Sequence, residues 1–268
     1  MIGVIGCGNM ASAIVKGIHA IYKQEKFLTY TPSKTRAKTL ADAVNGKQVD
    51  ELSSLNEADT LMIGCKPQQF DALASQLRES ISLKDKHIVS IMAAMPVETI
   101  KKKLGVTKVT RVMPNTPMLY NEGISLILNR GTTEKEESAV LKWFSACGKV
   151  HMLDSEQAFD QVTTVSGSGP AYVFQFAKTM VDKLETWGVE SNQAREIVTQ
   201  LFKGSTKLME LNRDISLEEL IDQVTSKGGV TIEAVKVYRA EGIAEMTSKA
   251  LDAAFKRSEE MTKELGSL

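Results

Sequence analysis

Over the first 150 residues, short apolar runs alternate with stretches in which apolar positions recur every three or four residues. The runs at 2–5, 27–31, 60–64, 87–91, 108–112, 124–128 and 149–153 are too short for helices and predict strands. Helical spacing between them predicts helices at 36–44, 69–81 and 134–146. The last of these carries its own boundaries. Thr133 precedes it with Glu136 three residues on, a capping box, and Gly148 lies just past its end. Strand–helix alternation implies a doubly wound parallel sheet. After Leu153 the strand-like runs cease. The remainder has helical spacing broken at Gly167-Ser168-Gly169-Pro170, at Gly188, at 212–214 and at Lys227-Gly228-Gly229, with a second capping box at Ser216 and Glu219. The fold expected is α/β, with a dinucleotide-binding (Rossmann) domain over 1–153 and an all-helical domain over 154–268.

The helix after Pro170 is apolar around most of its circumference. Tyr172, Phe176, Met180 and Leu184 form one stripe, and Val173, Phe174, Ala177 and Val181 widen it. Such a helix must be covered on several sides. Either a second subunit covers it or it is the central helix of a compact bundle. So few helices follow it that the second subunit is favoured.

Composition narrows the function classes. Lys plus Arg equals Asp plus Glu, 33 each, which gives no reason to expect a nucleic-acid or membrane-surface partner. No segment approaches the uninterrupted apolar length of a membrane span. The first residues already read as a strand, so no signal peptide is expected. Cys7, Cys65 and Cys147 are an odd set without a C-x-x-C pair, which fits reduced thiols in the cytoplasm. His19, His87 and His151 are scattered, so a histidine metal site is not expected.

The strand at 2–5 runs straight into Gly6-Cys7-Gly8-Asn9-Met10-Ala11, a G-x-G-x-x-A turn that opens an amphipathic helix. The first glycine permits the sharp turn, the second admits a pyrophosphate against the backbone, and the small third residue lets helix and strand pack closely. Phosphate then meets free N–H groups at the positive end of the helix dipole. An NAD-specific sheet places a carboxylate at the end of the second strand to bond the ribose 2′-hydroxyl. Here Thr31-Pro32-Ser33-Lys34-Thr35-Arg36 stands there instead. Hydroxyls with two cations suit a 2′-phosphate, so NADPH is favoured, with NADH possible. As a sequence alone, the segment also reads as a solvated loop.

Three further segments carry chemistry. Gly64-Cys65-Lys66-Pro67-Gln68 and Met113-Pro114-Asn115-Thr116-Pro117 each follow a strand at the carboxyl edge, where open α/β sheets bind ligands. The second is expected to be a proline-stiffened loop presenting Asn115 and Thr116. The third is Ser226-Lys227-Gly228-Gly229-Val230-Thr231, whose N–H groups and hydroxyls suit a small carboxylate. It reads equally as a glycine-shaped turn between helices with Thr231 as a cap.

Together with Gly167-Ser168-Gly169-Pro170-Ala171-Tyr172, these motifs resemble the pyrroline-5-carboxylate reductase family over nearly the whole chain. The resemblance implies a helical domain that makes a dimer, in some members a decamer, and reduction of 1-pyrroline-5-carboxylate to L-proline by NADPH or NADH. It implies that residues Gly6, Cys7, Gly8, Asn9 and Met10 hold the pyrophosphate, with Thr31, Ser33 and Lys34 near the adenosine ribose. Cys65, Lys66, Pro67, Met92, Ala93 and Ala94 would flank the nicotinamide, with Asn115 close by. Ser226, Gly228 and Gly229 would hold the substrate carboxylate, Val230 and Thr231 would touch the substrate, and Glu156 is a further substrate-side candidate. Two departures stand out. Lys227 occupies a position where the family usually has proline, and Met95-Pro96 stands where a glycine and a β-branched residue are usual.

The chemistry agrees with the residues present. A protonated cyclic imine is already electrophilic, so hydride transfer needs no proton donor, only orientation. Thr231 is the candidate for bonding the ring nitrogen. A β-hydroxyacid dehydrogenase, which also joins a Rossmann half to a helical one, places a lysine and then an asparagine where this chain has Val173 and Ala177. A non-catalytic nucleotide-binding regulator would have no use for the second anion turn.

Overall fold

The computed structural model describes residues 1–266. The chain divides into two compact units, Met1–Pro170 joined by the chain from Ala254 onward, and Ala171–Ala253.

In chain order the first unit holds β1 (Ile2–Ile5), α1 (Asn9–Ile21), β2 (Phe27–Tyr30), α2 (Lys34–Ala43), β3 (Lys47–Gln48), β4 (Thr60–Ile63) and α3 (Phe70–Ser80). These are followed by β5 (His87–Ser90), α4 (Val97–Leu104), β6 (Val109–Pro114), β7 (Gly123–Arg130), α5 (Glu134–Ser145), β8 (Gly148–Met152) and α6 (Glu156–Ser166). The eight strands make one sheet in the order β3-β2-β1-β4-β5-β6-β7-β8. The chain moves outward from β1 to β3, then returns to β4 on the other side of β1. That reversal leaves a crevice at the carboxyl ends of β1 and β4.

The sheet is parallel except at one pair: β6 and β7 run antiparallel. The expected doubly wound parallel sheet is corrected at this one pair alone. Only residues 115–122 join the two strands, and a parallel crossover needs a dozen or more. The expected loop at 113–117 is corrected as well, because Met113 and Pro114 complete β6 and residues Thr116–Tyr120 form a 3₁₀ turn.

Side chains alternate across the sheet, as the pleat requires. Ile5, Leu61, Ile63, Ile88 and Leu126 enter one core with Phe70 and Ile100, whereas Val4, Met62, Val89 and Ile127 enter the other with Ile14 and Phe144. α1 and α5 therefore cover one face, and α3 and α4 the other. The Thr133–Glu136 capping box forms as expected. α6 packs on β7, with Phe159 fully buried in the first unit's core.

The helices α7 (Gly169–Thr186), α8 (Ser191–Leu211), α9 (Leu217–Gln223) and α10 (Val230–Ala240) lie in the second unit apart from the first two residues of α7, and α11 (Ile243–Gly266) begins there. Ser216 and Glu219 cap α9 reciprocally. Within this unit only Ala194 and Val198 are buried hydrophobics. α7 has no buried residue, and its Phe174 is 67% exposed. Phe176 packs edge-on against Phe202 and beside Tyr238, so the unit has aromatic contacts but an uncovered apolar face.

Candidate functional site

At the carboxyl edge of β1 and β4 a cleft of about 730 Å³ opens in the first unit. Gly6, at φ 89°, turns the chain out of β1, and a Cβ there would come within 2.8 Å of the Gly64 backbone. Any larger residue would close the crevice. Gly8 is the opposite case, since a Cβ there would meet nothing, which leaves room for a ligand against the backbone. Gly8 is also the N-cap of α1, with no side-chain cap bond and no acidic residue in the helix's first turn. The opening amides of α1 thus form an unneutralised positive end.

The rim beyond β2 fits a phosphorylated ribose. Thr31, Ser33 and Arg36 line it, and no Asp or Glu lines the cleft anywhere. Arg36 has no ion-pair partner among the described residues. Lys34 is not among the lining residues; its ammonium pairs with Asp50 at 2.7 Å. That contact raises the lysine pKa and lowers that of Asp50. Of the two cations in the segment, only Arg36 therefore faces the cleft without an ion-pair partner among the described residues. Its position in the first turn of α2, facing the same side as Ser33, was the signal in the sequence.

The opposite wall carries Cys65 and Lys66, with Pro67 opening a 3₁₀ turn. Cys65 Sγ lies 3.5 Å from Met92 Sδ, which ties the turn after β4 to the segment after β5. In that segment Ala94 is held at φ 52°, and Met92, Ala94 and Met95 are buried. A non-glycine residue in the left-handed region costs on the order of 1–3 kcal/mol and persists where its surroundings enforce it. Burial pushes the thiols of Cys7, Cys65 and Cys147 up to about 11, so none is a thiolate near neutrality. Asn9 is exposed at the start of α1, while Met10 packs against the core beneath it.

Two expected positions have other partners. Asn115 does not present its side chain outward. It is buried, donating to Ser166 O at 3.0 Å and accepting from Ile124 N–H at 2.9 Å, and so joins β6, β7 and α6. Glu156, at the start of α6, accepts from the Val97 N–H at 2.7 Å and pairs with Arg111. Arg111 belongs to none of the motifs that the sequence displays. A lone cation inside the apolar run of β6 was the available signal.

In the second unit, residues 226–231 form an exposed turn. Gly228 sits at φ 75°, and Gly229, the N-cap of α10, has no side-chain cap bond. Gly229 N–H bonds back to Ser226 O at 3.0 Å, which sets the Ser226 hydroxyl beside the Gly229 backbone. Val230 is 91% exposed and Thr231 is exposed next to it. Uncapped backbone amides at the start of α10 thus lie beside the Ser226 hydroxyl on an exposed turn, the equipment for an anion. Among the described residues there is no group of three His, Cys, Asp or Glu side chains able to hold a metal, and no helix is long and apolar enough to cross a membrane.

Comparison with known proteins assigns this geometry to a family. Residues 1–94 match the model described as NADP oxidoreductase, coenzyme F420-dependent, and residues 156–261 match that described as pyrroline-5-carboxylate reductase dimerisation. The pyrroline-5-carboxylate reductase of Escherichia coli K12 is 33% identical, with 98% of each chain covered. The chain belongs to the pyrroline-5-carboxylate reductase family. The family fold matches too. The pyrroline-5-carboxylate reductase of Coxiella burnetii superposes with a TM-score of 0.89 at 26% identity, over 97% of this chain and 98% of the other. The Plasmodium falciparum pyrroline carboxylate reductase, solved with NADP bound, does so with 0.85 at 26% identity and 97% coverage of both. As a member of the family the chain is an oxidoreductase, and its dimerisation region marks it as a homo-oligomer.

Proposed function

We propose that this protein reduces 1-pyrroline-5-carboxylate to L-proline with NADPH as donor, in the cytoplasm, as a dimer built through the helices of the second unit. The carrying observation is the carboxylate-free cleft at the β1–β4 crossing, with bare amides for a pyrophosphate and Arg36 for a 2′-phosphate. Three unpaired cysteines suit a reducing compartment. Further assembly of dimers into a decamer belongs to the same reading, through the family resemblance.

NADPH, when bound, supplies the hydride: it goes to the C=N carbon of the protonated imine, whose bond pair passes to nitrogen to give the secondary amine. The chain's own part is binding and orientation. Gly6 and Gly8 let the backbone approach the pyrophosphate, and the opening amides of α1, with Asn9 and Met10, face it. Thr31, Ser33 and Arg36 hold the adenosine ribose and its phosphate, with Lys34 kept outside by Asp50. Cys65, Lys66 and Pro67 with Met92, Ala93 and Ala94 form the nicotinamide wall, with Asn115 close by. Ser226 and the amides of Gly228 and Gly229 hold the substrate carboxylate, with Val230 against the ring. Thr231 Oγ1 bonds the ring nitrogen. No side chain need give up a proton, because the iminium arrives already protonated, and orientation of this kind supplies about 7–11 kcal/mol in well-aligned reactions.

The test follows NADPH absorbance with pyrroline-5-carboxylate, then with a 3-oxo acid. Oxidation with the imine alone is the expected result. Oxidation with the oxo acid alone, or binding of NADPH without turnover of either, overturns the reading. Thr231→Ala tests the ring-nitrogen contact separately: kcat/KM for the imine is expected to fall about tenfold, the worth of one hydrogen bond of ~1–1.5 kcal/mol. A wild-type value removes that role.

A further inference from the structure

Arg111 is anomalous in its strand. It lies in β6 beside Ser90, the last residue of β5, and its side chain is only 2% exposed. Its guanidinium stacks 4.3 Å above the Phe159 ring, pairs with Glu156, and donates to Asp160 at 2.8 Å, while its Nε has no acceptor among the described residues. Burial raises the Asp160 carboxyl pKa in spite of that arginine. An incompletely satisfied buried ion group is a poor source of stability, so its presence calls for another account.

Glu156 uses its other oxygen on a different element. Oε1 accepts from the Val97 N–H, the first amide of α4, whose N-cap residue is Pro96 and offers no side chain for the purpose. Val97 closes the segment 91–96, which begins at the end of β5, carries Ala94 at φ 52°, and sets Met92 against Cys65 in the cleft wall. One end of that segment is fixed by the sheet ladder. The other is fixed from 59 residues away by a carboxylate that Arg111 orients.

We infer that Arg111 and Glu156 are positioning residues, with Arg111 orienting Glu156 and Glu156, through the Val97 amide, fixing residues 91–96. The inference rests on the reading that residues 92–94 flank the nicotinamide. It moves Glu156 from the substrate to the cofactor wall. Two substitutions separate the possibilities. Glu156→Ala removes both bonds, whereas Glu156→Gln keeps an amide oxygen for Val97 and loses the charge.

The first readout is amide hydrogen exchange in the cofactor-free protein, which reports the segment without turnover. Exchange at 91–97 is expected to quicken at least tenfold in Glu156→Ala and less than threefold in Glu156→Gln, with β1 and α1 unchanged. The second is turnover of pyrroline-5-carboxylate with NADPH. Glu156→Ala is expected to lower kcat at least tenfold with KM for the imine within twofold, and Glu156→Gln to recover most of the loss. If Glu156→Ala does not fold, Glu156→Asp, one methylene too short to reach both partners, carries the same expectations. Unchanged exchange at 91–97 overturns the inference. So does a loss confined to KM for the imine, or a glutamine variant as impaired as the alanine one. An inactive wild type would instead sink the proposed reaction, leaving exchange to decide the role of Glu156.

Discussion

Replacing Arg36 by alanine separates the two nicotinamide cofactors, because the dinucleotides differ only in the 2′-phosphate. Arg36 lines the cleft, is exposed and unpaired, and shares its rim with the Thr31 and Ser33 side chains. A phosphomonoester carries roughly −1.5 to −2 charges near neutrality. A unit charge pair at about 4 Å in water is worth ~1 kcal/mol, so the Coulombic part is about 2 kcal/mol at this open rim. A net hydrogen bond to a charged group falls in the same range, about 1.5–3 kcal/mol. Taking about 2 kcal/mol at ~1.4 kcal/mol per decade, Arg36→Ala should lower kcat/KM for NADPH by roughly 30-fold. NADH should change less than about twofold, since it lacks the group concerned. The assay is initial rate against each cofactor at saturating imine. Repeating it near ~0.5 M salt should shrink the gap, because exposed charges are screened over a few ångströms there. Equal losses with both cofactors, or no loss with NADPH, would refute the assignment. Lys34→Ala is the internal control: its ammonium is engaged by Asp50, so its effect on NADPH should be within about threefold.

Three other outcomes follow from packing and burial. A methyl group on Gly17 in α1 would drive into Cys147 Sγ, so Gly17→Ala should lower Tm by roughly 2–6 °C, overpacking outweighing the helix-propensity gain of about 1 kcal/mol. Adding Cys147→Ala should recover part of the loss, and a raised Tm in the single variant would contradict the packing argument. His87 is buried against Thr110 at 2.8 Å, and burial lowers its pKa from 6.5 to about 4; Lys108 adds to the shift, with Glu136 and Glu137 opposing it. The unfolded chain therefore binds a proton that the folded chain refuses between those values. Stability falls by up to about 3 kcal/mol as pH drops from 6.5 to 4, and urea midpoints of His87→Gln should lose correspondingly less over that range. Finally, Phe174→Glu on the uncovered face of α7 should shift light-scattering mass toward the 29.4 kDa of one chain; an unchanged mass would show that α7 is not where the subunits meet.

Much of the first unit was legible because its signals are local. Seven strands carry apolar runs, and the Thr133 capping box forms where the sequence puts it, as does that of Ser216 in the second unit. What escaped had no local signature. β3 is two polar edge residues, Lys47 and Gln48, too short to show a period. The direction of β7 was encoded only in the length of its connection to β6. The prolines around Asn115 suggest a loop that presents its side chain, but its bonding is set by Ile124 and Ser166, outside that local segment. The same holds for Lys34 and Arg36, where Asp50 decides which cation is available. The nucleotide turn at Gly6 and Gly8 could be read because its demands fall on backbone conformation, which the residue type at one position reveals.

The bare helices of the second unit have a consequence for how the sequence is free to vary. A residue such as Phe174 or Val173, which finds no cover within its own chain, is answered in a homo-oligomer by surfaces with the same amino-acid sequence. One codon change there alters every subunit together, so its cost is multiplied by the number of copies and any compensation must come from the same gene. Divergence should accordingly be slower on this face than on the solvated backs of α2 and α3, where no second chain has to accommodate a change.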